Sequence, residues 1–428
     1  MLLLFNETEL PNGIRVATAN MPSVESVAMG VWVGVGGRYE DKRVSGVSHF
    51  IEHLLFKGTK TRSARDISQA IEGRGGYFNA FTQEESTCYY ARISAEHLKS
   101  TFAILSDMYL NPKFAAADIN KERGVIIEEI MMYKDQPQHL VQEILGELLW
   151  RDHALGRPLI GTTETVGKVS RADILNFKNS KYVADNTVIV FAGKVDHEEC
   201  VKLVAARLGH IRGSRKPVYP PVTRQTLQND VRVHSKDIEQ THVALGIRLF
   251  GRHDKRRYPL KLLSIILGEN MSSRLFQVVR ETHGLAYSIH SSIQLFDETG
   301  VLDIQAGVDC DRLGRAIELI LSELARIKDK PVGDQELRRA KDYAIGQLRI
   351  GLESTSNQMM WVGENLMSYG RFIQPSEVVR KIEAVSDKDI HRVAGEVLNS
   401  RSLSVAMVTP GGGDKHAHLI REKMAILA

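Results

Sequence analysis

His49-Phe-Ile-Glu52-His53 puts two imidazoles and a carboxylate within little more than one helical turn. Positions i and i+4 lie on one face of a helix, so His49 and His53 can share a metal ion. Glu52 sits beside them and can take a proton from a water that the metal polarises. The order H-x-x-E-H reverses that of the better-known H-E-x-x-H zinc protease motif and carries the same parts. The bland alternative is a pair of surface histidines on an amphipathic helix. Histidine is sparse, 15 in 428 residues, which weighs against coincidence.

Two histidines alone hold a metal weakly, and catalytic zinc generally has three protein ligands. Candidates for the third lie in Glu122-Arg-Gly-Val-Ile-Ile-Glu128-Glu129-Ile130. The segment reads as a helix with Val125, Ile126 and Ile130 turned inward. Glu122 and Glu129 are seven residues apart, two helical turns, and project the same way; Glu128 points about 100° from Glu129. An ordinary solvated acidic face has the same composition.

The elements that must position these groups follow from hydrophobic period and turn residues. Strands are expected at 13–17 and 26–34, the motif helix at 44–55, a further helix at 64–72, strands at 77–82 and 86–93, and helices at 95–110 and 116–132. The second half repeats this order: strand 241–250, helices 258–268 and 274–281, strands 286–294 and 300–308, helices 312–327 and 334–352. Each half closes with its own strand, 187–193 and 403–409. Strand runs segregated from helix runs imply an α+β fold of two homologous domains, each an antiparallel-rich mixed sheet packed with helices. The polar, proline-rich stretch from Gly213 to Thr223 reads as a linker, giving domains 1–213 and 229–428 around a linker 214–228. The metal-type residues are not repeated in the second half, so one metal site, in the N-terminal domain, is expected.

Bulk properties are those of a soluble globular protein: 43% apolar and 25% charged residues, with a net charge of +4. That charge implies no nucleic-acid partner. The N-terminus suits neither a signal peptide nor a transit peptide, and no apolar run approaches membrane-span length, so a cytoplasmic protein with no membrane partner is expected. Cys88, Cys200 and Cys310 are widely spaced and read as buried thiols. His416 and His418 in the tail read as solvated.

Two further segments bear on substrate. Gly75-Gly76-Tyr-Phe-Asn79-Ala-Phe-Thr82 alternates as a strand, and an exposed edge here can accept an extended peptide as an added strand. Arg280 and Tyr287 are a cation and a hydroxyl suited to an oxyanion, though a helix cap and a strand residue explain them equally.

Glu129 follows His53 by 76 residues in a Val-Ile-x-x-Glu context. With the flanks Gly46-Val-Ser-His49…Phe56-Lys-Gly-Thr59, Asn79-Ala-Phe-Thr82, Arg274-Leu-Phe-Gln-Val-Val-Arg280 and Gly284-Leu-Ala-Tyr287, the chain resembles the M16 metallopeptidases over nearly its whole length. Pitrilysin, insulin-degrading enzyme and the mitochondrial processing peptidase belong to that family. By length it is most similar to the short, processing-peptidase-like bacterial branch. The resemblance implies the LuxS/MPP-like metallohydrolase fold and one zinc ion per chain on His49, His53 and Glu129. It implies Glu52 as general base and Glu122 as an auxiliary catalytic carboxylate. It also implies Asn79, Ala80 and Phe81 as backbone contacts to substrate, and Arg280 and Tyr287 as the substrate-binding pair. Processing-type relatives use two acidic residues after the third ligand to favour arginine; here His139 and Glu143 stand at those offsets, so only Glu143 is kept. The implied activity is endoproteolysis of extended peptides or unfolded polypeptide inside a clamshell homodimer. The rival readings are a non-catalytic subunit like the core proteins of the bc1 complex, and a zinc hydrolase acting on something other than peptides.

Overall fold

The computed structural model describes residues 4–222 and 230–427; residues 223–228 of the expected linker lie outside them. The strands are β1 (Leu4–Glu9), β2 (Arg15–Asn20), β3 (Ser26–Val33), β4 (Tyr77–Thr82), β5 (Thr87–Ser94), β6 (Thr187–Gly193), β7 (Val231–Ser235), β8 (Thr241–Phe250), β9 (Ala286–Leu295), β10 (Thr299–Val308) and β11 (Leu403–Thr409). The helices are α1 (Val47–Leu55), α2 (Ala64–Ile71), α3 (Leu98–Leu110), α4 (Ala116–Asp135), α5 (Pro137–Leu149), α6 (Thr163–Lys168), α7 (Arg171–Lys181), α8 (His197–Leu208), α9 (Arg257–Gly268), α10 (Leu313–Asp329), α11 (Asp334–Gly351), α12 (Thr355–Tyr369), α13 (Pro375–Glu383), α14 (Asp387–Val397) and α15 (Gly413–Lys423).

The chain forms two compact units, neither continuous in sequence. The first comprises residues 1–131, 157–220 and 349–374, and the second 132–156, 221–348 and 375–428.

In the first unit a six-stranded sheet runs in the order β1-β2-β6-β3-β5-β4. Only β2 and β6 pair in parallel; the other pairs are antiparallel. Side chains alternate across a strand. Val27, Met29, Val31 and Val33 of β3 therefore face one core, with α1, α3 and α4 residues such as Phe50, Phe102 and Ile126. Ala28 and Trp32 face the opposite side and pack under α12 through Met359, Val362 and Leu366. That approach is close enough to need glycine: a Cβ on Gly363 would fall 2.1 Å from the Trp32 indole. The indole Nε1–H points at Sδ of Met359, 3.4 Å away.

In the second unit a five-stranded sheet runs β7-β11-β8-β10-β9, again with a single parallel pair, β7 with β11. The order matches β2-β6-β3-β5-β4, so the sequence repeat is a structural one. Val243, Leu245 and Ile247 of β8 face a core with α9, α10 and α14. Ala244 faces the other side, where α5 packs through Val141, Leu145 and Leu148. Each sheet is thus completed by a helix from the opposite half of the sequence: α12 on the first, α5 on the second.

The fold is α+β with two mixed sheets, as the runs of strands and helices imply. The strands β1 and β7 and the helices α5 to α8 and α12 to α15 add to the expected elements. Where an α-helix is expected at 274–281, residues Phe276–Thr282 form a π-helix. There the side chains of Thr282 and His283 bond the carbonyls of Gln277 and Val278, five residues back. Among the described residues no helix is long and apolar enough to cross a membrane.

Candidate metal centre

The motif helix α1 starts abruptly. Gly46 precedes it at φ +92°, with the Ile160 carbonyl where a Cβ would stand, 2.6 Å away. Only glycine meets both demands. No side chain of the N-cap residue satisfies the first amides; the buried Glu40 does so from a distance. Its two carboxylate oxygens accept from the backbone N–H of Gly46 and of Ser48, each at 2.7 Å. A carboxylate at a helix N-terminus also opposes the helix dipole. Burial nevertheless dominates and pushes the Glu40 carboxyl up to about 7 against those bonds and the nearby Arg157.

Anchored there, α1 buries Val47, Phe50, Ile51, Leu54 and Leu55 and presents the motif residues together. The rings of His49 and His53 meet edge to face, 4.6 Å apart. From α4, Oε2 of Glu129 comes within 3.8 Å of Nε2 of His49 and 3.5 Å of Nε2 of His53. The three groups form the one metal-type cluster of histidine, cysteine and carboxylate side chains found among the described residues, with donor atoms within 4.8 Å of one another.

The phase of α4 decides which glutamate takes part. Ile119, Glu122, Ile126 and Ile130 are buried, Glu129 is half-buried, and Glu128 is exposed. Val125, expected inward, is 45% exposed. It lies a full residue rotation from Ile126, and a helix offers one buried stripe, which Ile126 occupies.

Glu122 is 1% exposed yet charged neighbours reach it. Its Oε2 lies 3.4 Å from Nδ1 of His53, and its Oε1 is 2.9 Å from Nζ of Lys57. Nδ1 of His49 is buried with no partner. Burial first, then the neighbouring His53, holds the His49 imidazole below the usual histidine range, which keeps it neutral. For His53 burial pulls down too, but the bond and charge of Glu129 and the bond to Glu122 outweigh it and raise the pKa.

Glu52 is half-buried, and burial raises its carboxyl pKa. The Thr82 hydroxyl donates to its Oε2 at 2.5 Å. Thr82 closes β4, the edge strand of the first sheet. Phe78 of the same strand meets Phe56, just past the end of α1. Alternation puts Phe78, Ala80 and Thr82 on that face, and Tyr77, Asn79 and Phe81 on the other. Asn79 is exposed, donates to Tyr77 Oη and accepts from the Ala80 amide.

The remaining expected residues belong to the second unit. Arg280 lies in the π-helix, its guanidinium 4.6 Å from the Phe276 ring centre and 5.2 Å from that of Tyr287. Tyr287, 80% exposed, stands at the start of edge strand β9. Arg280 and Tyr287 are therefore brought together. Glu143 is half-buried on α5, its carboxyl raised by burial, and His139 is exposed.

Two sequence expectations need correction. His416 is half-buried rather than solvated, with Nε2 3.4 Å from Sγ of Cys310. Cys310 itself is half-buried, because it begins the short turn into α10 at the surface; Cys88 and Cys200 are buried as expected. Sequence reasoning missed Glu40, Lys57 and Thr82. For Thr82 the signal was present in the period-2 pattern of β4; for Glu40 and Lys57 no pattern points to the contact.

The donor set fits zinc. Two ligands about 2.0–2.1 Å from a common tetrahedral ion stand roughly 3.4 Å apart, near the separations from Glu129 to the two histidines. Neutral nitrogen and carboxylate donors in a part-buried site, with a carboxylate behind one imidazole, are the usual surroundings of that ion.

Comparison with known proteins agrees. Residues 15–163 match the family model described as insulinase (peptidase family M16), and residues 168–343 the model described as peptidase M16 inactive domain. An uncharacterized zinc protease of Mycobacterium tuberculosis is 39% identical over 412 residues, covering 95% of this chain and 94% of that one. One from Bacillus subtilis is 34% identical over 401 residues, covering 94% and 97%. Among solved structures, a protease from Helicobacter pylori superposes with TM-score 0.90 at 21% identity, covering 96% of this chain and all of that one. A chain of complex III2 from Candida albicans shares the fold at TM-score 0.86 and 19% identity, with 98% and 99% covered.

Proposed function

The chain belongs to peptidase family M16 and is a zinc metallopeptidase, and from that premise we propose that it is an endopeptidase for extended peptides or unfolded polypeptide segments. The observation that carries the reading is the convergence of His49, His53 and Glu129 beside Glu52, with the Glu52 carboxylate bonded to the last residue of an exposed edge strand.

His49, His53 and Glu129 would hold one zinc ion per chain, which would supply Lewis acidity, polarising a peptide carbonyl and lowering the pKa of an attacking water. Glu52 takes the proton of that water as it adds to the scissile carbonyl and delivers it to the leaving amine. Its burial favours this, since a carboxylate lifted from its ordinary range is a better base and gives up the proton less readily to bulk water. Glu122 acts through His53: accepting at Nδ1 fixes the ring so that Nε2 faces Glu129.

Substrate lies along β4, with main-chain bonds to Asn79, Ala80 and Phe81 giving sequence-tolerant affinity. Arg280 steadies the substrate backbone, and Tyr287 donates to the oxyanion. In a homodimer these two residues of one subunit serve the metal donors of the other. With Glu143 alone of the two acidic positions kept, cleavage is not restricted to arginine sites. The reading as a non-catalytic core-type subunit draws support from the likeness to complex III, but the full set of donors and base speaks against it.

Digestion of a peptide library with and without a chelator tests the proposal. Cleavage that stops with the chelator and returns with zinc is expected. A zinc-loaded protein that leaves every unstructured peptide intact would overturn it.

A further inference from the structure

We propose that Thr82 is a positioning residue for Glu52, linking the strand that receives the peptide to the group that moves the proton. The inference rests on the reading of Glu52 as general base. Thr82 is the last residue of β4 and projects to the α1 side with Phe78 and Ala80. Its hydroxyl donates to Oε2 of Glu52 at 2.5 Å. No other side-chain hydrogen bond to Glu52 is present among the described residues.

A glutamate side chain has a broad, nearly free terminal torsion, so its carboxylate plane is not set by its own rotamer. A hydroxyl donating to one oxygen of an ionised carboxylate is a strong, directional bond. It fixes the plane and leaves Oε1 as the oxygen available for the water proton. Catalysis depends steeply on such placement, and an error of about 1 Å can cost two orders of magnitude in rate.

The donor is also well located to sense substrate. Asn79, Ala80 and Phe81 immediately precede Thr82 on an edge strand that is paired on one side only, with β5. A peptide adding to the free edge pairs the strand on both sides and restrains its end. The hydroxyl is then held hardest when substrate is present, and the base is aligned by the same strand that binds the peptide.

Thr82→Val and Thr82→Ser separate this role from a packing one. Valine keeps the branched shape and loses the hydroxyl; serine keeps the hydroxyl and loses the methyl. With zinc content equal to wild type, Thr82→Val is expected to lower kcat about ten- to a hundredfold with KM within about twofold. Thr82→Ser should stay within about threefold of wild type. In the inert Glu52→Gln background, Thr82→Val should leave the Kd for an uncleaved peptide unchanged, since the valine keeps the edge strand.

The opposite ranking, with valine active and serine impaired, makes Thr82 a packing residue and overturns the inference. Equal activity of all three proteins overturns it too, as does a Thr82→Val effect confined to KM and peptide Kd. Failure of the underlying reading has its own signature: zinc-loaded Glu52→Gln with wild-type turnover.

Discussion

Oε2 of Glu122 lies 3.4 Å from Nδ1 of His53, behind the ring nitrogen that faces Glu129 at 3.5 Å. The imidazole is held between two carboxylates from one helix, one at each nitrogen. Lys57, at 2.9 Å, pins the other oxygen of Glu122.

Glu122→Gln should therefore weaken zinc binding by about 10- to 100-fold rather than abolish the site. Competition with a chromophoric chelator measures the affinity. Activity should return at saturating zinc to the extent that Glu122 works only through His53. Unchanged zinc affinity with lost turnover would give Glu122 a direct part in the chemistry.

Glu129→Gln and Glu128→Gln are adjacent substitutions with opposite expected outcomes. The half-buried Glu129 meets both histidines, and the exposed Glu128 points elsewhere. Metal analysis after dialysis should find zinc lost from the first protein and stoichiometric in the second. The reverse result would show that Glu128 is the ligand in solution.

Replacing Glu52 with glutamine leaves the three donors in place and removes the base. Zinc is expected at one per chain, with turnover down by roughly two to four orders of magnitude. Zinc content and hydrolysis of a quenched peptide, measured on one preparation, decide the matter.

Glu40 predicts a pH dependence of stability. Burial raises its folded-state pKa to about 7 from an ordinary 4.5. The folded state then favours the protonated form, so this contribution is fully present below about pH 4.5 and is lost as pH rises through about 7. The span is at most about 3 kcal/mol. Asp303 in β10, raised by burial to about 6, adds a term of the same sign. The diagnostic is thus the difference between wild type and Glu40→Gln in thermal unfolding at pH 5 and pH 8. Wild type should lose more stability than the variant over that range, and parallel curves would contradict the prediction.

Mixing Glu52→Gln with Tyr287→Phe tests the proposed sharing of residues between subunits. If Tyr287 serves the partner, a mixed dimer has one site with both defects and one with neither. Random exchange makes half the dimers mixed, so activity should recover to roughly a quarter of wild type. If Tyr287 serves its own chain, mixing restores nothing despite demonstrated exchange.

Helical period aligns His49 with His53, and Glu122 with Glu129, but that the two helices share one centre was implied only by the resemblance. The sheet repeat was legible because strand alternation and turn residues recur in both halves. Val125 was misjudged because period marks a stripe and not its exact edge. Glu40 reaches the start of α1 from only six and eight residues away, through a buried loop whose path no hydrophobic period encodes. The same holds for α5: Val141, Leu145 and Leu148 announce a buried face, but nothing in them says that β8 and β11 lie beneath it.

That exchange of helices bears on how the chain is made. Emerging from the ribosome, the first sheet acquires its last strand near residue 190, yet the helix that covers Trp32 is synthesised more than 320 residues after that tryptophan. Until then one apolar face of an otherwise complete sheet stays wet, and closing it is a very long-range event. A truncated product of the first 213 residues would carry His49, His53 and Glu129 and still lack the helix that covers Ala28, Trp32 and Val190. Burial of that face therefore waits on Thr355–Tyr369, long after the metal-type residues have been made.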